Sequence, residues 1–237
     1  MKKIRFEDLI LFENEDYIII NKPPFISTLD DRAAPDSVLS LAKGHLEDAQ
    51  IAHRLDKETS GALAIAKNPE AYRHLAILFE RRKVEKRYHA ISDGIHNFDE
   101  VEVNLPLYTL NKGVARIDHN KGKASQTFFN TLEAYKQHTL IDCRPVTGRM
   151  HQIRVHLNAL RAPISGDDTY GGKPLFLSKL KKNYNLKRGT EELPVIRRFA
   201  LHARTLAFDP EKGERIEVEA PYPKDFAVAL KQLNKYR

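Results

Sequence analysis

The sequence predicts a chain that mixes β-strands with α-helices, and two kinds of pattern carry that prediction. Short apolar runs bounded by polar turns are typical of strands, and they occur at residues 9–12, 17–20 and 62–66. Other segments place apolar residues three or four positions apart, which is typical of helices packed on one side. At 237 residues the chain is long enough to bury a sizeable core, in one domain or two.

The N-terminal part reads as two strands followed by a short helix. Four polar residues separate the runs 9–12 and 17–20, which predicts a hairpin or a strand pair. Pro23 and Pro24 end the second strand, because proline removes a backbone donor and restricts the residue before it. Asp36 then offers an N-cap for a short helix.

Three further helices are expected. Asn68-Pro69 combines a capping residue with proline at the first helical position, so a helix should begin there. Another should begin near His151, with apolar residues at 153, 157 and 160 facing the core, and a last one at Pro223. Strand-like segments occupy residues 85–92, 101–105, 114–117, 126–135, 140–146, 200–208 and 216–220.

The charge of the chain favours an anionic partner. Lys and Arg number 39 against 32 Asp and Glu, a net charge of +7, and the isoelectric point is about 9.3. Residues 1–50 hold 6 basic and 10 acidic side chains, whereas residues 151–200 hold 10 and 4. This asymmetry indicates one basic face, for which nucleic acid is the first candidate partner, although plain solubility also explains a modest excess.

Cysteine usage and hydropathy restrict the class of protein further. The single cysteine, Cys143, excludes an intrachain disulfide and a cysteine-based zinc site. The first residues lead straight into a strand pattern, and no long apolar run follows. We therefore expect a cytoplasmic protein with no membrane contact, and a monomer because no exposed apolar helix is evident.

Asp56 is the residue that most needs an explanation. It precedes the apolar run 62–66, and a carboxylate at the edge of a core needs a cationic or hydrogen-bonding partner. One interpretation is structural: Asp56 caps a turn with Thr59 and Ser60, and Arg54 forms a surface ion pair worth at most about 1 kcal/mol. The other interpretation is that the acid is held ready for chemistry.

The whole segment around Asp56 favours the second interpretation. HRLDKETSG at residues 53–61 resembles the signature of the RluA/RsuA family of pseudouridine synthases. Further blocks that resemble this family follow the order of the chain: INKPP at 20–24, KRYHA at 86–90, TGRMHQIRVHL at 147–157, PISGDDTYG at 163–171 and ALHARTLAF at 200–208. One departure is Arg161, at a place where the family often has glycine.

The resemblance implies a fold and a reaction. The fold would be one mixed α+β domain over residues 1–237, with a largely antiparallel sheet flanked by helices. Many members carry an N-terminal S4 domain, but the first block here begins about twenty residues in, so none is expected. The reaction would be isomerisation of uridine to pseudouridine in ribosomal or transfer RNA, with no DNA partner, metal or redox cofactor.

The resemblance also implies roles for single residues. Asp56 would be the nucleophile, Arg154 its cationic partner with Arg149 as the fallback, and Tyr88 the aromatic that stacks on the target base. Arg54 would enter the space that the base leaves. Further contacts with the RNA are expected from His53, Thr59, Arg149, His151 and Gln152.

Other functions fit the sequence less well. An RNA-binding protein that kept the fold and lost the activity would not need Asp56, Tyr88 and Arg154 together. A metal-dependent RNA hydrolase would need ligands beyond the acid pairs Asp30-Asp31 and Asp167-Asp168.

Metal and hydrolase sites built on histidine or serine are also poorly supported. His151 and His156 lie about 140° apart on a helix, which suits one ion badly. A hydrolase using Ser60 or Ser165 lacks the glycine-flanked nucleophile turn. The basic residues 173–198 fit an RNA-contacting insertion and a mobile surface loop equally well.

Overall fold

The structure, a computed structural model, describes residues 4–30, 36–110, 113–186 and 189–237. It divides into two compact units, Met1–Arg87 with His202–Pro221 and Tyr88–Leu201 with Tyr222–Arg237, and each is described by itself. The single domain expected over residues 1–237 stays a prediction. The expectations that involve Asp31, Lys187 and Arg188 lie outside the described residues.

The described residues form eleven strands and five α-helices, together with loops and two short 3₁₀-helices. The strands are β1 (Ile10–Glu13), β2 (Tyr17–Lys22), β3 (Ser60–Ala66), β4 (Glu85–Asp93), β5 (Val101–Asn104), β6 (Leu107–Thr109), β7 (Ala115–Ile117), β8 (Gln126–Ala134), β9 (His138–Pro145), β10 (Leu201–Phe208) and β11 (Ile216–Glu219). The helices are α1 (Val38–His45), α2 (Pro69–Glu80), α3 (Gln152–Ala159), α4 (Leu177–Leu180) and α5 (Lys224–Lys235).

The first unit is built on a sheet whose middle strand is buried along its whole length. β1 and β2 form the antiparallel pair that the sequence predicts, and β2 pairs antiparallel with β3. β10 runs parallel to β3, and β11 is antiparallel to β10. All seven residues of β3 are buried, because the strand is alanine-rich and lies between two neighbours. β3 therefore gives a rigid base to the loop that precedes it.

The two helices of the first unit begin at side-chain caps. Asn68 caps α2 as expected, because its side-chain oxygen accepts from the backbone N–H of Ala71 at 2.8 Å. The sequence predicts Asp36 as the N-cap of α1, and this prediction is wrong. Ser37, not Asp36, is the N-cap, and it forms a reciprocal capping box with Ser40. Both residues are good caps, and only the box partner three positions on distinguishes them.

The second unit contains an antiparallel sheet in the order β4, β9, β8 and β5. β6 and β7 form a separate two-stranded ladder. β6 was not expected from the sequence, because three residues after a proline give too short a pattern. The core of the second unit includes side chains from α3 and α5 as well as from the sheet. Its buried members include Ile153, Leu157, Phe226 and Leu233.

The basic segment 173–198 is anchored to this core over its described part. Leu175, Leu180 and Ile196 are buried members of the same core cluster, and Leu180 is the last residue of α4. The lysines in its described part, Lys173, Lys179, Lys181 and Lys182, are exposed. The segment is therefore a packed element with a charged outer surface.

The expected fold class, a mixed and largely antiparallel sheet flanked by helices, is confirmed. Among the described residues, no helix is both long enough and apolar enough to span a membrane.

Candidate active site

A buried lysine holds the backbone of the loop that carries Asp56. Lys22 has no exposed surface, and its ammonium donates to the backbone carbonyls of Pro23, Ile26 and Lys57 at 3.0, 2.8 and 3.1 Å. The N–H of Phe25 donates to the same carbonyl of Lys57 at 2.8 Å. A buried cation needs such a set of acceptors. Lys22 thereby ties the end of β2 to the residue that follows Asp56.

The residue before Asp56 is held as firmly. The hydroxyl of Thr28 donates to the carbonyl of Leu55 at 2.8 Å and accepts from its N–H at 3.1 Å. The N–H of Thr59 donates to the carbonyl of Asp56 at 3.0 Å and closes a turn. Within this clamped backbone the Asp56 side chain is half-buried and Arg54 is exposed. The loop backbone on both sides of Asp56 is therefore held in place, as the support of a reactive group requires.

Thr59, Ser60 and Gly61 complete the loop inside the first unit. Thr59 is buried, so the structure places this expected RNA contact in the interior. The Ser60 hydroxyl lies 2.9 Å from Nδ1 of His202, whose Nε2 lies 3.1 Å from the carbonyl of Ala220. The carbonyl accepts, so Nε2 carries the proton and Nδ1 accepts from Ser60. This serine–histidine pair has no exposed surface, which makes it structural rather than hydrolytic.

Ser165 does not support a hydrolase either. Its hydroxyl donates to Oδ1 of Asp93 at 2.6 Å, and the residue is fully buried. Both serines considered from the sequence therefore hold neighbouring segments together.

His53 has a structural place in the first unit. Its Nε2 accepts from the N–H of Ala64 at 2.9 Å, and its ring stacks on Phe79 with centroids 4.4 Å apart. Burial lowers the pKa of His53 to about 3, and the nearby charge of Lys86 adds to the effect. Burial also lowers the pKa of Lys86 to about 8. His53 is thus neutral and supports β3 instead of offering a charge to RNA.

In the second unit, Tyr88 lies on β4 opposite Cys143 of β9. It is half-buried and packs against the core cluster of that unit. Burial raises the pKa of the Cys143 thiol well above its ordinary value, and the charge of Asp142 adds to this. Cys143 is therefore an inert core residue on the strand next to the tyrosine.

Arg154 lies on α3, where it is almost completely buried. Its Nε donates to Oδ2 of Asp167 at 2.7 Å, and a terminal nitrogen donates to Oδ1 at 2.8 Å. The guanidinium carbon lies 4.2 Å from the ring centre of Phe199 and 4.9 Å from that of Tyr170. The sequence predicts that only one face of α3, at 153, 157 and 160, is buried, whereas in the structure every residue from 152 to 157 is buried.

Gln152 joins three segments of the second unit. Its side-chain oxygen accepts from the Thr147 hydroxyl at 2.7 Å and from the Arg149 N–H at 3.0 Å. Its amide nitrogen donates to Gln126 and to Thr127 at 2.9 Å. All four hydrogen-bonding positions of the amide are used, so Gln152 shapes the turn. That turn exposes the side chain of Arg149.

His151, which precedes α3, and His156, within it, form separate hydrogen bonds. Nδ1 of His151 lies 2.9 Å from the Tyr170 hydroxyl. Nδ1 of His156 lies 2.9 Å from the Thr127 hydroxyl and its Nε2 lies 3.1 Å from the carbonyl of Leu105. Burial lowers the pKa of His156. Within the described part of the chain, no group of three or more His, Cys, Asp or Glu residues is arranged to hold a metal ion.

Sequence reasoning overlooked the residues that support the site. Lys22 and Thr28 clamp the Asp56 loop, and Asp167 pairs with Arg154. Lys22 gave a usable signal, because a lysine at the end of a strand as apolar as Tyr17–Lys22 is out of place unless it is buried for a reason. Asp167 lies in the block PISGDDTYG that resembles the family, but nothing in the sequence pairs it with Arg154. Thr28 gave no signal, since it acts on a residue far from it in the sequence.

Comparison with known proteins gives consistent matches over nearly the whole chain. A family model described as RNA pseudouridylate synthase matches residues 16–159. Ribosomal large subunit pseudouridine synthase D of Haemophilus ducreyi is 34% identical over 254 residues, covering 98% of this chain and 74% of that protein. Ribosomal large subunit pseudouridine synthase C of Buchnera aphidicola is also 34% identical, covering 97% and 72%. The solved structure of human RNA Pseudouridylate Synthase Domain Containing 4 matches with a TM-score of 0.72 at 25% identity, covering 97% and 94%.

Proposed function

The chain belongs to the RNA pseudouridylate synthase family, and from that premise we propose that it isomerises uridines in RNA of the large ribosomal subunit. Membership makes it an isomerase that forms pseudouridine. The choice of RNA is supported by the names of the relatives from Haemophilus ducreyi and Buchnera aphidicola, both of which specify the large ribosomal subunit. Transfer RNA is the substrate that the test below must exclude.

The reaction exchanges one bond for another within a nucleotide. The bond between N1 of uracil and C1′ of the ribose breaks, the base turns, and C5 bonds to C1′. The hydrogen on C5 leaves to solvent as a proton, and N1 takes up a proton. There is no net oxidation or hydrolysis, so the expectation of no cofactor follows from this balance.

The observation that carries the proposal is that the backbone on both sides of Asp56 is held in place. Thr28 holds the backbone of Leu55 and Lys22 holds that of Lys57, while the carboxylate between them stays half-buried. We assign the nucleophile to Asp56 because a covalent catalyst needs a reachable carboxylate on a well-supported loop.

Arg154 is proposed as the cationic partner of the Asp56 carboxylate. A neighbouring positive charge favours the charged form of a carboxyl group. Arg154 already pairs with Asp167, using two of the five N–H groups of a guanidinium. A guanidinium can serve two carboxylates at once, so the pair with Asp167 fits this role and would orient the arginine. Arg149 is the fallback, and its exposure suits a contact with phosphate.

Tyr88 is proposed to stack on the flipped base, and Arg54 is proposed to fill the space that the base leaves in the RNA. A base taken out of its stack loses a few kcal/mol of stacking, which an aromatic face such as that of Tyr88 can partly return. Arg54 is exposed and adjoins the Asp56 loop, as a residue that fills the vacated space in the RNA should. A cytoplasmic, monomeric enzyme is part of the same proposal.

Tritium release tests the proposal directly. Ribosomal RNA and transfer RNA, each labelled at C5 of uracil and taken from cells that lack this protein, are incubated with wild-type enzyme, Asp56→Ala, Asp56→Asn or Asp48→Ala. Asp48 is an exposed acid outside the loop and serves as the matched control. We expect release from ribosomal RNA by wild type and Asp48→Ala alone.

Other outcomes contradict separate parts of the proposal. Release by Asp56→Ala removes Asp56 from the nucleophile role, and release only from transfer RNA changes the substrate. Binding of either RNA without release by wild type means that the chain is an inactive RNA-binding protein.

A further inference from the structure

Phe25 is an aromatic residue in a position that its own fold does not favour. Its side chain is 54% exposed, and it is the only exposed Phe or Tyr side chain among the described residues; the others are buried or half-buried. Its φ of +70° lies in the left-handed region. A bulky residue there is an outlier, because its Cβ crowds the following carbonyl group.

The fold could avoid both penalties with a smaller residue. Glycine adopts a φ of +70° without steric cost and would leave no apolar ring in water. Exposed apolar side chains are common, and so is an occasional positive φ, but the two together at one aromatic residue are not. Strained residues of this kind concentrate at functional sites.

Phe25 is also fixed against the proposed nucleophile loop. Its N–H donates to the carbonyl of Lys57, the residue after Asp56, and the buried ammonium of Lys22 binds the same carbonyl. The side chains of Arg54 and Lys57 on that loop are both exposed. One exposed aromatic ring and two exposed cations therefore belong to two backbone segments that are hydrogen-bonded to each other.

We propose that Phe25 stacks on an unpaired base of the RNA that flanks the target uridine, with Arg54 and Lys57 beside it to meet the phosphates. This inference rests on the proposed function and adds a requirement to it: the substrate presents a second unpaired nucleotide next to the one that is modified. An aromatic face with nearby cations is the combination that binds single-stranded nucleic acid without regard to sequence. A protein partner would call for a wider apolar patch.

The absence of tryptophan from the sequence allows a clean test. Phe25→Trp gives a protein with one tryptophan, whose fluorescence is quenched when a base stacks on it. Ile77→Trp, at an exposed position on α2 of the same unit, is the matched control. The probes are a short single-stranded oligouridylate and a blunt RNA duplex with the same number of phosphates.

We expect the oligouridylate to quench Phe25→Trp more strongly than the duplex does, and neither to quench Ile77→Trp. Equal quenching by both probes would mean that Phe25 only lies near phosphates. No quenching by either, with the RNA bound, would overturn the proposal and leave a protein partner as the reason for the exposed ring.

Kinetics on ribosomal RNA separate stacking from a structural role. Phe25→Gly suits the backbone and should fold, yet we expect its KM to rise about 5- to 150-fold with little change in kcat, the range for loss of one base–aromatic stack. Phe25→Tyr should retain the wild-type KM, and Phe25→Leu should not. Identical KM values for all four proteins would contradict the inference.

The fluorescence and tritium assays fail independently. Tritium release without quenching of Phe25→Trp overturns this inference and leaves the isomerase intact. Quenching without release supports the stacking site and overturns the proposed activity.

Discussion

The guanidinium of Arg154 and the carboxylate of Asp167 form a two-point ion pair inside the second unit, with nitrogen–oxygen distances of 2.7 and 2.8 Å. The Asp167 side chain has no exposed surface and that of Arg154 is 7% exposed. Phe199 and Tyr170 lie within cation–π distance of the guanidinium. Desolvated charges of this kind are tolerated only as a pair, so each residue determines the position of the other.

Removing Asp167 should therefore be far more harmful than removing its neighbour. We expect Asp167→Ala to lower the free energy of unfolding by about 3–5 kcal/mol, because it leaves Arg154 with one buried partner fewer. Asp168 is exposed, so Asp168→Ala should change it by no more than about 0.5 kcal/mol. Urea unfolding of both variants measures the difference. Equal, small losses would mean that the pair contributes little to the fold.

Gly61 should be intolerant of any side chain. Its φ is +116°, and an added Cβ would lie 2.1 Å from the carbonyl oxygen of Ala203. Because backbone atoms cannot move aside cheaply, we expect Gly61→Ala to lower the free energy of unfolding by more than about 2 kcal/mol. Thermal or urea unfolding measures this change.

Gly44 provides the matched glycine control for that variant. It lies in α1, and an added Cβ there would meet nothing within 4 Å. Gly44→Ala should raise the free energy of unfolding by about 0.5–1 kcal/mol through helix propensity. A loss in both variants would mean that the space around Gly61 is not what makes its substitution harmful.

The sequence predicted those features that depend on local patterns. The strands around β2 and β3 follow from runs of apolar residues, and the start of α2 follows from Asn68 and Pro69. The family resemblance identified the loop of Asp56. Each of these signals lies within a few neighbouring residues, so no knowledge of the folded chain is needed.

The supporting contacts could not be predicted in the same way. Lys22 binds the carbonyl of Lys57, which is 35 positions away, and Thr28 binds Leu55 across 27. His53 was expected to contact RNA, whereas its ring accepts a hydrogen bond from β3 and stacks on Phe79. Which polar residue ends up buried depends on the packing of the whole unit, and the sequence does not contain that information in local form.

His53 gives the first unit a specific acid sensitivity. In the unfolded chain His53 takes up a proton below its ordinary pKa of 6.5, whereas in the folded protein its pKa is about 3. Between these values the unfolded state binds more protons, so the free energy of unfolding should fall as the pH falls from about 6.5 to about 3. His53→Gln can still accept from Ala64 but cannot titrate, and should weaken this dependence.

Urea unfolding at neutral pH and at pH about 4 measures the effect. His119 is exposed, and His119→Gln is the control that should keep the wild-type dependence. Nitrogen NMR should also find His53 neutral at pH about 5, with the proton on Nδ1. A protonated ring at that pH would contradict the assignment.

Two helices are followed, two residues after their last residue, by an arginine in a backbone conformation that usually belongs to glycine. Arg82 follows α2 with φ +58°, and Arg161 follows α3 with φ +57°. Behind Arg161, the N–H of Ala162 donates to the carbonyl of Leu157 at 2.9 Å, the hydrogen bond of a Schellman motif. The departure noted at Arg161 in the sequence thus leaves the turn intact, with an arginine in the left-handed position.

Glycine at either position should stabilise the protein. The left-handed conformation costs an arginine about 1–2 kcal/mol, which glycine avoids. Part of this gain is lost because glycine loses more conformational entropy when the chain folds. We expect Arg82→Gly and Arg161→Gly each to raise the free energy of unfolding by about 0.5–1 kcal/mol. Arg81, one residue earlier, has φ −81°, so Arg81→Gly should lower it by a similar amount. If all three variants lost stability alike, side-chain contacts of the arginines would outweigh the backbone strain.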